Sequence, residues 1–235
     1  QSFYPKIGGV PTYLLNLAKE LMIKGNEVVE VHLRVAGEEH HDEVKGIRVH
    51  RVPREPIKKD IMVSYSKFKE TVYKESHYNV KEFRKSPEET EGYREYFTVN
   101  EYFGEELKEL LEENPPEIVH IHDFQLLFAY KYVPRGIPCI LTWHIPFIDN
   151  MSSHLKKFLI KHLNEYDQVV FSSQEYIDAA LKAGLDPEKP KLIYPIANTN
   201  IFKKIDVDAG KIKAKYGIPS DSRVILCVQR VDPKS

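Results

Sequence analysis

Three observations predict an α/β fold built on a parallel sheet with helices on both faces. Short apolar runs at residues 117–121, 138–142 and 168–171 alternate with segments of helical spacing at 125–133, 154–163 and 174–183. The runs are nearly continuous in apolar residues, as strands covered on both faces tend to be. Gly136 and Gly184 stand where helices should stop, each ahead of a new strand or its approach.

The elements follow in order. Leu14, Leu15, Leu17, Ala18 and Leu21 keep helical spacing, and Lys24-Gly25-Asn26 supplies a stop. Residues 27–33 (Glu-Val-Val-Glu-Val-His-Leu) read as a strand. Residues 46–52 alternate Ile47, Val49 and Val52 with basic residues, which predicts a short, half-exposed strand. Residues 53–98 are rich in Tyr, Lys and Glu without a clean period, and read as an insertion with helical pieces. A helix at 103–111 is stopped by Pro115-Pro116. Residues 191–194 supply the last strand of the unit. From Asn198 the character changes: a helix at 206–216 ends at Gly217-Ile218-Pro219, and an apolar strand follows at 223–228. Two domains are therefore expected, 1–203 and the beginning of another at 204–235. Only Ser2-Phe3-Tyr4 precede the first helix, so a parallel sheet predicts one further strand of about five residues upstream. Gln1 and Ser235 both read as cut ends.

Composition narrows the function classes. A chain of 235 residues with 42% hydrophobic and 29% charged residues has the make-up of an ordinary soluble globular protein. A net charge of −1 gives no polybasic surface for nucleic acid or an anionic membrane. No apolar stretch reaches the length of a membrane span, and no signal-peptide pattern is visible. Cys139 and Cys227 each sit in an apolar run, which predicts buried, reduced thiols and a cytoplasmic location.

Ligands of open α/β sheets gather at the carboxyl ends of the strands. In Tyr4-Pro5-Lys6-Ile7-Gly8-Gly9-Val10, paired glycines open a helix, where backbone N–H groups and the helix dipole favour an anion. Lys6 adds a cation, although the same glycines also suit an ordinary tight turn. The strand ending at Ile121 delivers His122, Asp123 and Gln125; the strand ending at Thr142 delivers Trp143, His144 and Phe147. Asp123 can cap the following helix or meet an acceptor hydroxyl. His144 can be a structural histidine or a ligand contact. His120 and His122 share a strand face, but no cysteine or carboxylate pair completes a metal site, so no metal is expected. His40 and His41 lie in an acidic stretch and read as solvated surface, and the tyrosine-rich insertion reads as an amphipathic cover rather than a sugar-stacking surface.

Lys6-Ile7-Gly8-Gly9-Val10 and the helix after it resemble the opening of retaining glycosyltransferases of the two-domain GT-B fold, with their Lys-x-Gly-Gly-Leu motif; Val10 replaces the Leu. The likeness is to family four and to glycogen and starch synthases. His122-Asp123-Phe124-Gln125-Leu126 and His144-Ile145-Pro146-Phe147 resemble segments of trehalose-6-phosphate synthases. Residues 194–202 are similar to a Pro-x-Gly-Val-Asp-Thr-x-x-Phe segment, with Asn198 in place of the Asp and the Gly missing. Arg230-Val231-Asp232-Pro233-Lys234 resembles the Arg-x-Asp-x-x-Lys region that grips the donor diphosphate; the family's lysine is Lys234 or lies past Ser235.

The resemblance implies a Rossmann-like N-terminal domain and transfer of a hexose, glucose first, from a UDP-, ADP- or GDP-linked sugar. The acceptor would be a soluble sugar, sugar phosphate or glucan. It assigns Lys6, Gly8, Gly9, Arg230 and Lys234 to the diphosphate, His144 to the transferred sugar, and Asp123, Gln125 and Trp143 to the acceptor. His144, Asp123 and Arg230 would carry catalysis on one face of the sugar, with no covalent intermediate and no metal or cofactor. The chain alone is expected to be inactive. A non-catalytic carbohydrate- or nucleotide-binding module, and a nucleotide-sugar epimerase or hydrolase, are the competing classes; the single carboxylate at these strand ends disfavours the latter.

Overall fold

The computed structural model describes residues 3, 5, 8–34, 36–78 and 80–227, and the chain forms two compact units, Gln1–Ile196 and Ala197–Ser235. The first unit opens with helix α1 (Gly9–Ile23), strand β1 (Val29–Leu33), the pair β2 (His41–Val44) and β3 (Ile47–Val52), and helices α2 (Lys59–His77) and α3 (Tyr93–Glu113). Then come β4 (Val119–His122), β5 (Cys139–Trp143), α4 (Ser153–Leu163), β6 (Gln168–Phe171), α5 (Gln174–Lys182) and β7 (Pro190–Leu192). Strands β4-β5-β6-β7 form a wholly parallel sheet in sequence order. A second sheet has the order β1-β3-β2, with β1 parallel and β2 antiparallel to β3.

Strand β2 was not expected. Its exposed His41, Asp42 and Glu43 offer no apolar period. What makes it is the two-residue turn Lys45-Gly46, with φ of 56° and 82°, the left-handed pair that suits the twist of a hairpin.

The stretch 53–98 is core rather than cover. Ile61, Met62, Tyr65, Phe68 and Val72 share one face of α2 and pack into a cluster with Phe83, Tyr96, Val99, Phe103, Phe128 and Phe158. The Tyr65 and Tyr96 rings stack with centroids 5.9 Å apart, and Phe68 lies 4.7 Å from Tyr96. The helix expected at 103–111 is the second half of α3. Gly104 brings α3 against the next segment, since a Cβ there would fall 2.1 Å from the Tyr132 ring.

The helix expected at 125–133 is instead two 3-10 turns, Phe124–Leu126 and Ala129–Tyr132. Leu126, Leu127, Phe128 and Ala129 are all buried, and four consecutive buried residues cannot share one face of an α-helix. Side chains of α3 take over the backbone groups that a helix would have used: Asn100 donates to the carbonyls of Tyr96 and Gln125 and accepts from the Phe128 N–H at 3.1 Å.

The second unit contains α6 (Ala209–Lys215), capped by Asp208 accepting from the Lys211 N–H at 3.2 Å. The strand expected at 223–228 is absent over 223–227: no described residue pairs with it, and an apolar strand without a neighbour has no ladder partner. Val224, Ile225 and Leu226 are exposed there, and so is Cys227, which corrects its expected burial; Cys139 is buried as read.

One buried carboxylate ties the 53–98 region to the start of α4. Glu75, 1% exposed, accepts from the Ser152 N–H at 2.7 Å through Oε1, and from the Glu82 and Phe83 N–H groups at 2.7 and 2.9 Å through Oε2. Glu75→Ala orphans three backbone donors, two of them buried, at about 1–3 kcal/mol for each buried one, so urea denaturation should read a loss of roughly 2 kcal/mol or more. A loss under about 1 kcal/mol would show that water replaces the carboxylate.

Candidate active site

The polar groups of the site come from the alternation of two neighbouring strands. In β4, Val119 and Ile121 enter the aromatic core, while His120 and His122 face the other way and stay half-buried. In β5, Cys139, Leu141 and Trp143 enter the core, and Thr142 turns toward His120, whose Nε2 lies 2.7 Å from the Thr142 Oγ1. His144, just past β5, continues that polar face: its Nε2 lies 3.1 Å from Nδ1 of His122. The ring of Tyr13, one turn into α1, meets His144 edge-on at 4.9 Å and His122 at 5.9 Å. Three imidazoles, a threonine and a tyrosine thus gather where β4 and β5 end.

Asp123 joins the two strand ends. Its N–H donates to the Thr142 carbonyl at 2.8 Å, and its Oδ1 accepts from the His144 N–H at 3.3 Å. Its Oδ2 accepts from the Gln125 side chain at 3.1 Å. The backbone stands at φ 65°, ψ −179°, a region that is nearly glycine's alone and costs a side-chain-bearing residue about 1–3 kcal/mol. Of the two readings of Asp123, the cap is not what the side chain does: it makes no capping bond to the 3-10 turn that follows. At 2% exposure the carboxylate forms the wall of the site, and burial lifts its pKa to about 6. Burial moves the histidines the other way, His120 and His144 to about 4 and His122 well below its ordinary value. All three are neutral near pH 7, so each offers one donor and one acceptor.

The other expected residues divide. Gln125 is half-buried beside Asp123. Gly8 and Gly9 open α1 with no side-chain cap and no acidic residue in its first turn, and a Cβ at Gly9 would meet open space. Trp143 corrects the sequence reading: it is 0% exposed, on the core side of β5, packed near Phe124 and Phe147, because the strand alternation sends it away from His144. Lys6, Arg230 and Lys234 lie outside the described residues. Sequence reasoning passed over Tyr13 and Thr142 as site groups, placed His122 at the strand end without a role, and weighed His120 only as half of a metal pair. Strand alternation from Asp123 backward, and helical spacing from Gly9 forward, were the signals that pointed to them. Among the described residues no group of three or more metal-ligating side chains could hold an ion, and no helix is long and apolar enough to cross a membrane.

A parallel α/β sheet flanked by helices, with a polar cluster at its strand ends, is a Rossmann-like domain with its polar groups where such sheets bind ligands. Residues 69–200, more than half of the chain, match the family model of Glycosyltransferase Family 4, and the chain belongs to that family. Solved structures show the same fold. A trehalose-6-phosphate synthase superposes with a TM-score of 0.65 at 16% identity, covering 90% of this chain and 51% of that one. The α,α-trehalose 6-phosphate synthase of Burkholderia multivorans gives 0.57 at 18% identity, over 77% of this chain and 39% of that one. An α,α-trehalose-phosphate synthase (UDP-forming) from Burkholderia xenovorans, solved with glucose-6-phosphate, gives 0.54 at 15%, over 75% of this chain and 39% of that one. The chain spans about half the length of the first of these and less of the others. No curated protein matches it.

The buried titratable groups set an acid limit to stability. His120, His144 and the core residue His162 are held down to about 4, and burial holds His122 well below its ordinary value too, so between pH 6.5 and 4 the unfolded chain binds protons there that the folded chain refuses. Asp123, raised to about 6, and half-buried Glu30, raised to about 7, act oppositely, because the folded form keeps protons that the unfolded form has released. His41 and His50 are lowered as well, by desolvation first, so the imidazoles outnumber the two carboxyls and stability should fall as pH drops from 6.5 toward 4. Denaturant midpoints across that range check this; a midpoint that rises toward pH 4 would contradict neutral, buried histidines.

Proposed function

We propose that the protein is a retaining glycosyltransferase that moves a hexose, glucose first among candidates, from a nucleotide diphosphate sugar to a soluble acceptor. The observation that carries this reading is the neutral His144 beside the Asp123 carboxylate at the ends of adjacent strands, in a chain of Glycosyltransferase Family 4. His144 is suited to a sugar hydroxyl, since a neutral imidazole both donates and accepts. Asp123 and Gln125 are suited to the acceptor's hydroxyls, because an ionised carboxylate accepts strongly from them. A sugar phosphate ranks first among acceptors, by likeness to the relative solved with glucose-6-phosphate; a free sugar and a glucan come next.

The diphosphate leaving group gathers negative charge as the glycosidic bond breaks, and preorganised donors aimed at that charge lower the barrier. The glycine-opened end of α1, which Gly8 leaves without a side-chain cap, suits such a role. Lys6, Arg230 and Lys234 are assigned to it on their sequence motifs alone. No step requires a metal or a cofactor beyond the nucleotide sugar, and a cytoplasmic location fits such a donor.

The test is nucleotide release by the complete protein from UDP-glucose, ADP-glucose and GDP-mannose, with and without glucose 6-phosphate, glucose and a glucan. Acceptor-dependent release is expected, falling roughly 100-fold or more in His144→Ala and Arg230→Ala. It should also fall as pH is lowered through about 6, where Asp123 takes up its proton, and that limb should vanish in Asp123→Asn. Donor binding without any release would instead make the protein a binding module, and failure to bind any donor would overturn the reading of the strand ends.

A further inference from the structure

The site offers more than one histidine, and their arrangement separates a group that meets the ligand from one that holds it. His144 is gripped on three sides. Its backbone N–H donates to Asp123, its ring lies stacked on that of His122 at 5.3 Å and 23°, and Tyr13 closes edge-on at 73°. Of its two ring nitrogens, Nε2 is engaged with Nδ1 of His122, while Nδ1 has no hydrogen-bond partner among the described residues. His122 is fixed in turn. Its ring packs 4.0 Å from that of His120, and His120 is held by Thr142.

A hydrogen bond between two neutral imidazoles needs one N–H and one lone pair, so the tautomers of the two rings must be complementary. The bond consumes Nε2 of His144 in either direction, and the unlike surroundings of the two rings, His120 packed on His122 and the Asp123-bonded backbone behind His144, make the two directions unequal, so Nδ1 keeps one character, donor or acceptor. We infer that His122 is a positioning residue: its bond to Nε2 holds the orientation and tautomer of His144, so that Nδ1 is the nitrogen presented to a sugar hydroxyl. The role rests on the glycosyltransferase reading of this site. A second-layer group of this kind matters because a reacting group held loosely by about 1 Å loses much of its rate advantage.

The experiment compares the protein with His122→Asn, His122→Gln and His122→Leu. An asparagine amide falls where Nδ1 of the histidine was, a glutamine amide where Nε2 was, and leucine supplies neither. Long-range ¹H–¹⁵N spectra of histidine-labelled chain at pH 7.5 report the His144 tautomer directly. A single tautomer is expected in the wild type and in His122→Asn, and an averaged pair in His122→Gln and His122→Leu. Turnover at saturating substrate should follow the same order, near wild type in His122→Asn and about tenfold down in the other two. Tautomer averaging in the wild type, a single tautomer in His122→Leu, or equal loss of turnover in the Asn and Leu variants would each overturn the assignment. Should the Leu variant not fold, His122→Gln carries the same comparison. If the wild type itself transfers no sugar, the reading of the function fails, and the His144 spectra alone then decide whether His122 positions that ring.

Discussion

The carboxylate of Asp123 holds together the two strand ends on which the site is built. Its chain N–H reaches back to the Thr142 carbonyl and its Oδ1 reaches across to the His144 N–H, so β4 and β5 end in register. Asp123 occupies backbone space that a side chain normally avoids, and the surrounding bonds keep it there. Strain of this kind persists only where the neighbourhood over-determines it. Here the neighbourhood includes helices from far along the chain: the Tyr96 hydroxyl donates to the Phe124 carbonyl, and Tyr65 and Asn100 both donate to the carbonyl of Gln125.

That dependence explains why α2 and α3 present aromatic residues to the core. Tyr65 and Tyr96 each have an apolar body that fills the core and a hydroxyl that satisfies a carbonyl of the irregular turn after β4. A purely apolar helix would fill the same volume but leave the carbonyls of residues 124 and 125 with fewer partners, at a cost comparable to a lost hydrogen bond for each. The buried Glu75 does the corresponding work at the other edge, accepting from three backbone donors contributed by two separate loops. Polar groups inside this core are thus local substitutes for secondary structure.

Much of the architecture was legible because local rules decide it. The parallel strands, α4, α5 and the glycine-stopped α1 follow from periodicity and stop residues, and they lie within a few residues of their expected bounds. The apolar face of α2 at Ile61, Tyr65, Phe68 and Val72 went unread, because the surrounding lysines and glutamates blur its period. Strand β2 was not legible either, since its residues are polar and exposed and only a turn and a neighbour make it a strand. The segment after β4 misled for the opposite reason. Its apolar residues suit a helix in isolation, but burial on all sides and the reach of Asn100 favour two tight turns.

For the site, the sequence by itself determined that Asp123 and His144 stand at the carboxyl ends of strands, because strand position follows from local patterning; that the two strands are neighbours is a property of the folded sheet. The sequence also determined that His120 and His122 share a face, since alternation is a property of the extended chain. Only the tertiary structure decided which face belongs to the core. That choice buries Trp143 and turns His144 toward α1, and no local pattern carries it, because Trp143 and His144 are adjacent and either could have faced the ligand. The tertiary structure also brought Tyr13 onto the histidine pair and shifted the protonation of Asp123 and the imidazoles. Desolvation depends on everything that surrounds a group, and most of those surroundings lie far away along the chain.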